Sequence, residues 1–198
     1  MSKNLEIEYK TLLSKENFFR VSDYFQLKES DFFVQVNTYF DTSDLQLKQR
    51  NSGLRIRTLP NEAELTLKIP DQVGLLEITD SLTLQQAHQM IQSFVLPEHS
   101  EVLHKLNELT INTTALHSIG ELKTKRAQKK LPQGLLALDE SWYNNIHDFE
   151  LELEVEDAFQ GKKAFEQLLD TLSLTQTSAP NKIQRMFLSS THQSVTDN

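Results

Sequence analysis

Several short segments of the chain carry a charged side chain at every second position. Residues 5–10 alternate apolar and charged residues, so that Glu6, Glu8 and Lys10 share one face of a predicted strand. Residues 148–156 repeat the pattern with acidic residues on one face and Phe, Leu and Val on the other. Carboxylates in such rows offer oxygen ligands for Mg²⁺ or Mn²⁺, and interspersed lysines and arginines offer donors to phosphate oxygens. The chemistry that this pattern suits is the binding of a metal-bound polyphosphate.

The complete set of candidate residues is mixed in charge. The acids on the ionic faces are Glu6, Glu8, Glu77, Asp139, Glu150 and Glu152. The bases on those faces are Lys10, Arg55, Arg57, Lys68, Arg126 and Lys182. A single strand of this kind is typical of the exposed face of an ordinary antiparallel sheet. The recurrence of the pattern along the chain favours a common, enclosed location instead.

Helices with an apolar stripe interrupt these strands. Ser14 and Thr83 are predicted N-caps, Pro97 is predicted to start another helix, and residues 158–172 are predicted to form a further one. Helices of this type cover the apolar face of a sheet, which leaves the ionic faces to line the inside of a curved sheet. We therefore predict an α+β fold: a closed antiparallel β-barrel of about eight strands with a charged interior and helices packed on the outside. Because unpaired charges are costly to desolvate, such an interior must hold water, pair its charges or bind a charged ligand.

Composition narrows the possible functions. The 198 residues show no compositional break, and the net charge of −8 argues against non-specific binding of nucleic acid. The chain contains no cysteine, which excludes disulfides and thiolate metal sites and favours a cytoplasmic location. No apolar run is long enough for a membrane span or a signal peptide. No glycine-rich phosphate loop is present, so a P-loop mechanism is excluded. We predict one domain over residues 1–189 and a flexible tail over 190–198.

The order of these segments resembles that of the CYTH superfamily, the triphosphate tunnel metalloenzymes. Glu6-x-Glu8-x-Lys10 is similar to the family's ExExK motif. The other matching segments, in chain order, are Tyr39-Phe40-Asp41-Thr42, Leu54-Arg55-Ile56-Arg57, Leu65-Thr66-Leu67-Lys68, Glu77, Arg126, Asp139, Glu150-x-Glu152 and Asn181-Lys182. ExExK alone has little specificity, whereas the ordered set from about residue 4 to 188 is specific. The resemblance is to short bacterial single-domain members, including thiamine-triphosphatase-like proteins. Glu154 and Glu156 extend the acidic strand beyond the usual ExE. The pair that binds metal could therefore be shifted by one step along the strand.

The resemblance implies a role for each matched residue. Metal would be held by Glu6, Glu8, Asp139, Glu150 and Glu152. Phosphate oxygens would be held by Lys10, Arg55, Arg57, Lys68, Arg126 and Lys182. Glu8, Glu152 and Lys10 are implied in catalysis, with Lys10 as a candidate for orienting the attacking water, and Glu77 is implied as a further residue of the tunnel. No general base is identified.

The implied activity is the hydrolysis of a triphosphate compound with Mg²⁺ or Mn²⁺ as cofactor. Inorganic tripolyphosphate, a nucleoside triphosphate and thiamine triphosphate are candidate substrates. Two alternatives remain: a class IV-type adenylyl cyclase, in which the ribose 3′-hydroxyl replaces water, and a protein that binds nucleotide or polyphosphate without turnover. The expected partner is the small-molecule substrate, with no nucleic acid or membrane, and the expected oligomeric state is a monomer or a homodimer.

Overall fold

The computed structural model describes residues 2–178 and 180–193. Eight antiparallel strands form a closed barrel, in the order β1-β5-β4-β3-β2-β6-β7-β8. Their bounds are β1 Ser2–Leu13, β2 Phe32–Asp41, β3 Gly53–Thr58, β4 Ala63–Pro70, β5 Leu75–Leu82, β6 His117–Leu131, β7 Gly134–Tyr143 and β8 Ile146–Val155. The predicted fold class is confirmed.

The described part of the chain contains six α-helices and two short 3₁₀ turns. The helices are α1 Lys15–Tyr24, α2 Gln46–Gln49, α3 Leu84–Ser93, α4 Glu101–Glu108, α5 Ala158–Thr171 and α6 Lys182–Gln193. The 3₁₀ turns are Glu29–Asp31 and Thr113–Ala115. None of these helices combines the length and the apolar composition that crossing a bilayer requires.

The chain divides into two compact units. The first contains residues 35–121 with the start of β1 up to Leu5, and the second contains residues 6–34 and those from 122 onward. Of the tail predicted for residues 190–198, α6 includes positions up to Gln193, and 194–198 lie outside the described residues. The prediction of one domain over 1–189 stays a prediction.

The first unit has its own apolar core under α3 and α4. Leu54, Ile56, Leu65 and Leu67 are fully buried there, at every second position of β3 and β4. The residues that alternate with them along the strands include Arg55, Arg57 and Lys68, which therefore lie on the opposite, inner face. The predicted alternation of these two strands is confirmed.

The second unit has a separate core in which α1 and α5 pack on β8. Leu151, Leu153 and Val155 of β8 are buried, together with Phe165 of α5 and Phe18 of α1. At Gly161, a Cβ atom would lie only 2.3 Å from Cγ2 of Val155, so α5 approaches β8 more closely than any larger residue would allow.

The observed first residues of three helices can be compared with the predicted N-caps. Ser14 and Thr83 cap α1 and α3 as predicted, each accepting a hydrogen bond from the backbone N–H three residues later. The prediction that Pro97 starts a helix is wrong. Ser100 caps α4 by accepting from Leu103 N at 2.9 Å, and its own hydroxyl donates to Asp80 Oδ2 of β5 at 2.6 Å. The bond to Leu103 N is local, as at Ser14 and Thr83, so the sequence could have identified Ser100 as the cap, and the contact with Asp80 additionally ties the start of α4 to β5.

Asp41 organises the turn between β2 and β3. Its carboxylate accepts hydrogen bonds from the backbone N–H groups of Thr42 at 2.8 Å, Leu47 at 2.9 Å and Lys48 at 3.0 Å. Asp41 is buried, and Leu47 is buried in the core of the first unit. This buried carboxylate thereby fixes the segment that leads into β3.

Candidate functional site

The strand register of the second unit places the predicted ionic residues in adjacent rows. Asp139 of β7 lies opposite both Arg126 of β6 and Glu150 of β8, and Glu152 of β8 lies opposite Lys10 of β1. Asp139 and Glu150 are fully buried and Glu152 is nearly so. We call Lys10, Arg126, Asp139, Glu150, Glu152, Lys182 and Arg185 the ionic cluster.

Arginine and lysine side chains hold each carboxylate of the ionic cluster. Arg126 donates through Nε to Asp139 Oδ1 at 2.7 Å and through Nη2 to Asp139 Oδ2 at 2.6 Å and Glu152 Oε2 at 2.5 Å. Lys182 Nζ lies 2.5 Å from Glu152 Oε1, 2.8 Å from Asp139 Oδ2 and 3.4 Å from Glu150 Oε2. Direct ion pairing therefore offsets much of the cost of burying these charges.

Arg185 belongs to the cluster, although it is absent from the predicted set. It is 8% exposed, and its Nη2 donates to Glu150 Oε2. It follows Lys182 by three residues, so the two side chains point to one side of α6. This i, i+3 spacing is the signal by which the sequence could have revealed it.

The charges in the cluster shift the pKa values of its carboxyl groups in opposite directions. Burial raises the pKa of Glu152, but Lys182, Arg126 and Lys10 together outweigh it and hold that pKa well below the ordinary range. The pKa of Glu150 is raised, mainly by burial and further by the charge of Glu152, against the opposing effect of Lys182. The pKa values of Lys182 and Arg126 are raised because their acidic partners outweigh the effect of burial. The ionised form is therefore held more firmly at Glu152 than at Glu150.

The first strand contributes the remaining predicted residues of this unit. Lys10 Nζ donates to Glu8 and lies 4.0 Å from Glu150 Oε1. Its pKa is raised, because the charges of Glu8, Glu152 and Glu150 outweigh burial. Glu6 is half-buried two positions before Glu8. Glu154, which lies opposite Glu8 in the register, is exposed.

A second set of ionic residues lies in the first unit, and we call Arg55, Arg57 and Lys68 the basic strip. Arg57 donates through Nε to Asn37 Oδ1 at 2.9 Å, and its Nη1 lies 3.2 Å from Glu64 Oε1. These three basic side chains are placed by the β3–β4 hairpin, whose apolar residues form the core beneath them.

Glu77 of β5 lies beside the basic strip. Lys68 Nζ is 3.1 Å from Glu77 Oε2, and the two residues are directly opposite in the β4–β5 register. Burial raises the pKa of Glu77, but Lys68 and Arg55 outweigh it and lower that pKa overall. The Thr79 hydroxyl is 3.4 Å from Glu77 Oε1 and 3.2 Å from the Thr66 hydroxyl, which extends the polar row across β4 and β5.

Four of the predicted metal ligands, Glu8, Asp139, Glu150 and Glu152, are held by lysine or arginine side chains of the chain itself. Within residues 2–178 and 180–193, no group of three or more His, Asp or Glu side chains is arranged to hold a metal ion. Glu150 Oε1 is nevertheless buried and accepts no hydrogen bond from any residue that the structure describes. A hard divalent cation suits such a carboxylate oxygen, so the donor set fits Mg²⁺ or Mn²⁺ in its chemistry.

Comparison with known proteins bears on this arrangement. The chain is 42% identical over 189 residues to “Putative triphosphatase YjbK” of Bacillus subtilis (strain 168), covering 94% of this chain and 96% of that protein. A crystal structure described as “a putative adenylate cyclase” from Bacillus halodurans is 42% identical, covers 94% of this chain and 100% of its own, and superposes with a TM-score of 0.90.

A second solved structure supports the fold. “Putative adenylyl cyclase HpAC1” from Hippeastrum, described as having a dominant triphosphatase activity, is 23% identical, covers 93% of this chain and 96% of its own, and has a TM-score of 0.81. The family model for the CYTH domain matches residues 4–187. The chain therefore belongs to the CYTH domain family.

Proposed function

We propose that this protein is a divalent-metal-dependent triphosphatase. The observation that carries the proposal is the presence, on the strands of one barrel, of a buried carboxylate-rich cluster in the second unit and a basic strip in the first. The relative from Bacillus subtilis, whose name refers to a triphosphatase, supports the same activity.

Each set of residues has a distinct role in this proposal. Glu8, Asp139, Glu150 and Glu152, with Glu6, provide oxygen ligands for Mg²⁺ or Mn²⁺. Arg55, Arg57 and Lys68 bind phosphate oxygens, as do Lys10, Arg126 and Lys182 once their present carboxylate partners turn to the metal. A bound divalent cation supplies charge neutralisation at the phosphate and a polarised water.

The chain's own residues supply positioning and charge stabilisation. Arginine presents a planar fork that matches two phosphate oxygens, whereas lysine provides a point charge. Lys10 carries a proton because its pKa is raised, so it donates to phosphate or water and does not remove a proton from the nucleophile. Catalysis of phosphoryl transfer by placement and electrostatics requires no covalent intermediate on the protein.

A cyclase is the second candidate, because the relative from Bacillus halodurans is described as “a putative adenylate cyclase”. Incubation of the purified chain with tripolyphosphate, ATP or thiamine triphosphate, each with Mg²⁺ or Mn²⁺, separates the possibilities. Release of orthophosphate supports the triphosphatase, and cyclic AMP supports the cyclase. Binding without either product indicates a sensor of nucleotide or polyphosphate.

Two substitutions test the assignment of residues. Glu8→Gln removes a proposed metal ligand and Arg57→Ala removes a proposed phosphate donor, so each should abolish turnover while the protein stays folded by circular dichroism. Glu16→Gln on α1 and Arg50→Ala beyond α2 are matched controls, since both side chains are exposed. Retained activity in both test variants would overturn the site.

A further inference from the structure

The side chains around Glu150 form a chain of contacts that extends beyond the proposed metal ligands. Tyr143 of β7 donates its hydroxyl to Asp148 Oδ2 at 2.6 Å. Arg185 Nε lies 3.1 Å from the same oxygen, an ion-pair distance without the geometry of a hydrogen bond, and Arg185 Nη2 donates to Glu150 Oε2. Arg185 Nη1 donates to the Pro180 carbonyl at 2.8 Å, which fixes the third side of the guanidinium.

The two oxygens of Glu150 have different surroundings. Oε2 accepts a hydrogen bond from Arg185 Nη2 and lies 3.4 Å from Lys182 Nζ. Oε1 is buried and accepts no hydrogen bond from the described residues, with Lys10 Nζ 4.0 Å away. Since a buried carboxylate oxygen without a donor is costly, this asymmetry indicates an oxygen kept in place for another ligand.

We propose that Arg185 is a positioning residue, which Asp148 and Tyr143 hold in place, and which fixes Glu150 through Oε2 so that Oε1 faces a divalent cation. The inference rests on the proposed function in one respect, namely that Glu150 is a metal ligand. Residues that orient metal ligands in this way are typically worth 10–100-fold in metal affinity. Arginine suits the task because its planar fork contacts two carboxylates and a carbonyl at once, and lysine has no equivalent geometry.

Two substitutions that conserve charge separate the positioning of Glu150 from the electrostatic effect of the Arg185 charge. Arg185→Lys keeps the positive charge near Glu150 but loses the fork. Tyr143→Phe removes only the hydroxyl that holds Asp148. Removing the charge of Arg185 altogether would itself favour a cation, so a neutral replacement would give an ambiguous result.

Two control variants reproduce the structural side effects that Arg185→Lys and Tyr143→Phe could have apart from any effect on Glu150. Asn144 donates to the Met186 carbonyl at 3.1 Å and the Ser189 hydroxyl at 2.7 Å, so Asn144→Gly weakens the attachment of α6 without touching Glu150. Glycine also suits the positive φ of 49° at this position. Arg20 donates to the Leu172 carbonyl at 2.8 Å, so Arg20→Lys repeats the arginine-to-lysine change away from the carboxylates.

The experiment measures binding of Mn²⁺ alone to the full chain, from the electron paramagnetic resonance signal of unbound Mn²⁺. Arg185→Lys should weaken the Kd about tenfold or more and Tyr143→Phe by a smaller factor, with both controls close to wild type. Binding of tripolyphosphate in EDTA should not change in any of the four, which a misfolded variant could not show.

The outcomes separate this inference from the proposed function. If wild type binds Mn²⁺ and Arg185→Lys binds it equally well, positioning by Arg185 is wrong and the metal assignment stands. A comparable loss in Asn144→Gly would assign the effect to attachment of α6 and would also overturn the inference. If wild type itself binds no Mn²⁺, the metal-dependent function fails, and this inference fails with it.

Discussion

Replacing Asp41 by Asn should destabilise the protein strongly, although Asp41 is not among the residues that we propose to bind metal or phosphate. The carboxylate accepts three backbone N–H groups, two at Oδ1 and one at Oδ2. Asparagine keeps one acceptor oxygen and places an N–H₂ group where the other stood. With its oxygen toward Thr42 and Leu47, the amide nitrogen would meet the N–H of Lys48.

The magnitude follows from the hydrogen bonds. A hydrogen bond to a charged group contributes about 1.5–3 kcal/mol, and a neutral one about 1 kcal/mol. The hydrogen bonds from Thr42 and Leu47 are weakened, and the backbone N–H of Lys48 loses its acceptor. Together these changes should lower the free energy of unfolding by about 3 kcal/mol.

Urea unfolding measures this effect directly. The midpoint of Asp41→Asn should fall while the slope m stays constant, because the surface exposed on unfolding does not change. Asp44→Asn is the matched control. It changes a carboxylate of the same turn, but that side chain is exposed and accepts hydrogen bonds from side chains, the Thr42 hydroxyl and the Gln46 amide. A loss below about 0.5 kcal/mol for Asp41→Asn, the range of ordinary surface changes, would refute the assignment of Asp41 as a structural anchor.

Two further predictions concern stability. The lowered pKa of Glu77 means that its ion pair with Lys68 stabilises the fold above the ordinary glutamate pKa of about 4.5 and is lost as pH falls through the lower folded value. Wild type should therefore be more stable than Glu77→Gln in urea near pH 7, and this difference should shrink as the pH falls below about 4.5; a difference independent of pH would contradict this. Gly161→Ala gains about 1 kcal/mol of helix propensity but places Cβ 2.3 Å from Val155 Cγ2, so overpacking of about 1–3 kcal/mol should give a net loss. Thermal unfolding should show a smaller loss in a Val155→Ala background, where both Cγ atoms are gone and only the Cβ of residue 155, at 2.8 Å, stays close. An equal loss in both backgrounds would exclude the clash with the Cγ atoms as the cause.

The activity and Mn²⁺-binding experiments test different properties of the site. Glu8→Gln and Arg57→Ala test which residues serve turnover, whereas Arg185→Lys tests how one carboxylate is oriented. A triphosphatase with unchanged Mn²⁺ binding in Arg185→Lys is compatible with the proposed function, whereas a wild type that binds no Mn²⁺ would overturn both conclusions.

The alternation of apolar and charged residues was enough to predict the strands and their two faces. Leu65 and Leu67 are buried and Lys68 lies on the ionic face because successive side chains of a strand point to opposite sides, whatever the strand pairs with. The caps at Ser14 and Thr83 were likewise predictable, since each bonds a backbone group only three residues away.

Only the tertiary structure decided which charges meet. Arg126 pairs with both Asp139 and Glu152, and Arg185 joins Glu150, through contacts between strands and helices distant in sequence. The contact that ties Ser100 to Asp80 and the anchoring role of Asp41 depend in the same way on partners beyond the local sequence. The direction of a side chain is a local property of the backbone, but its partner is set by register and packing, which arise only when distant segments come together.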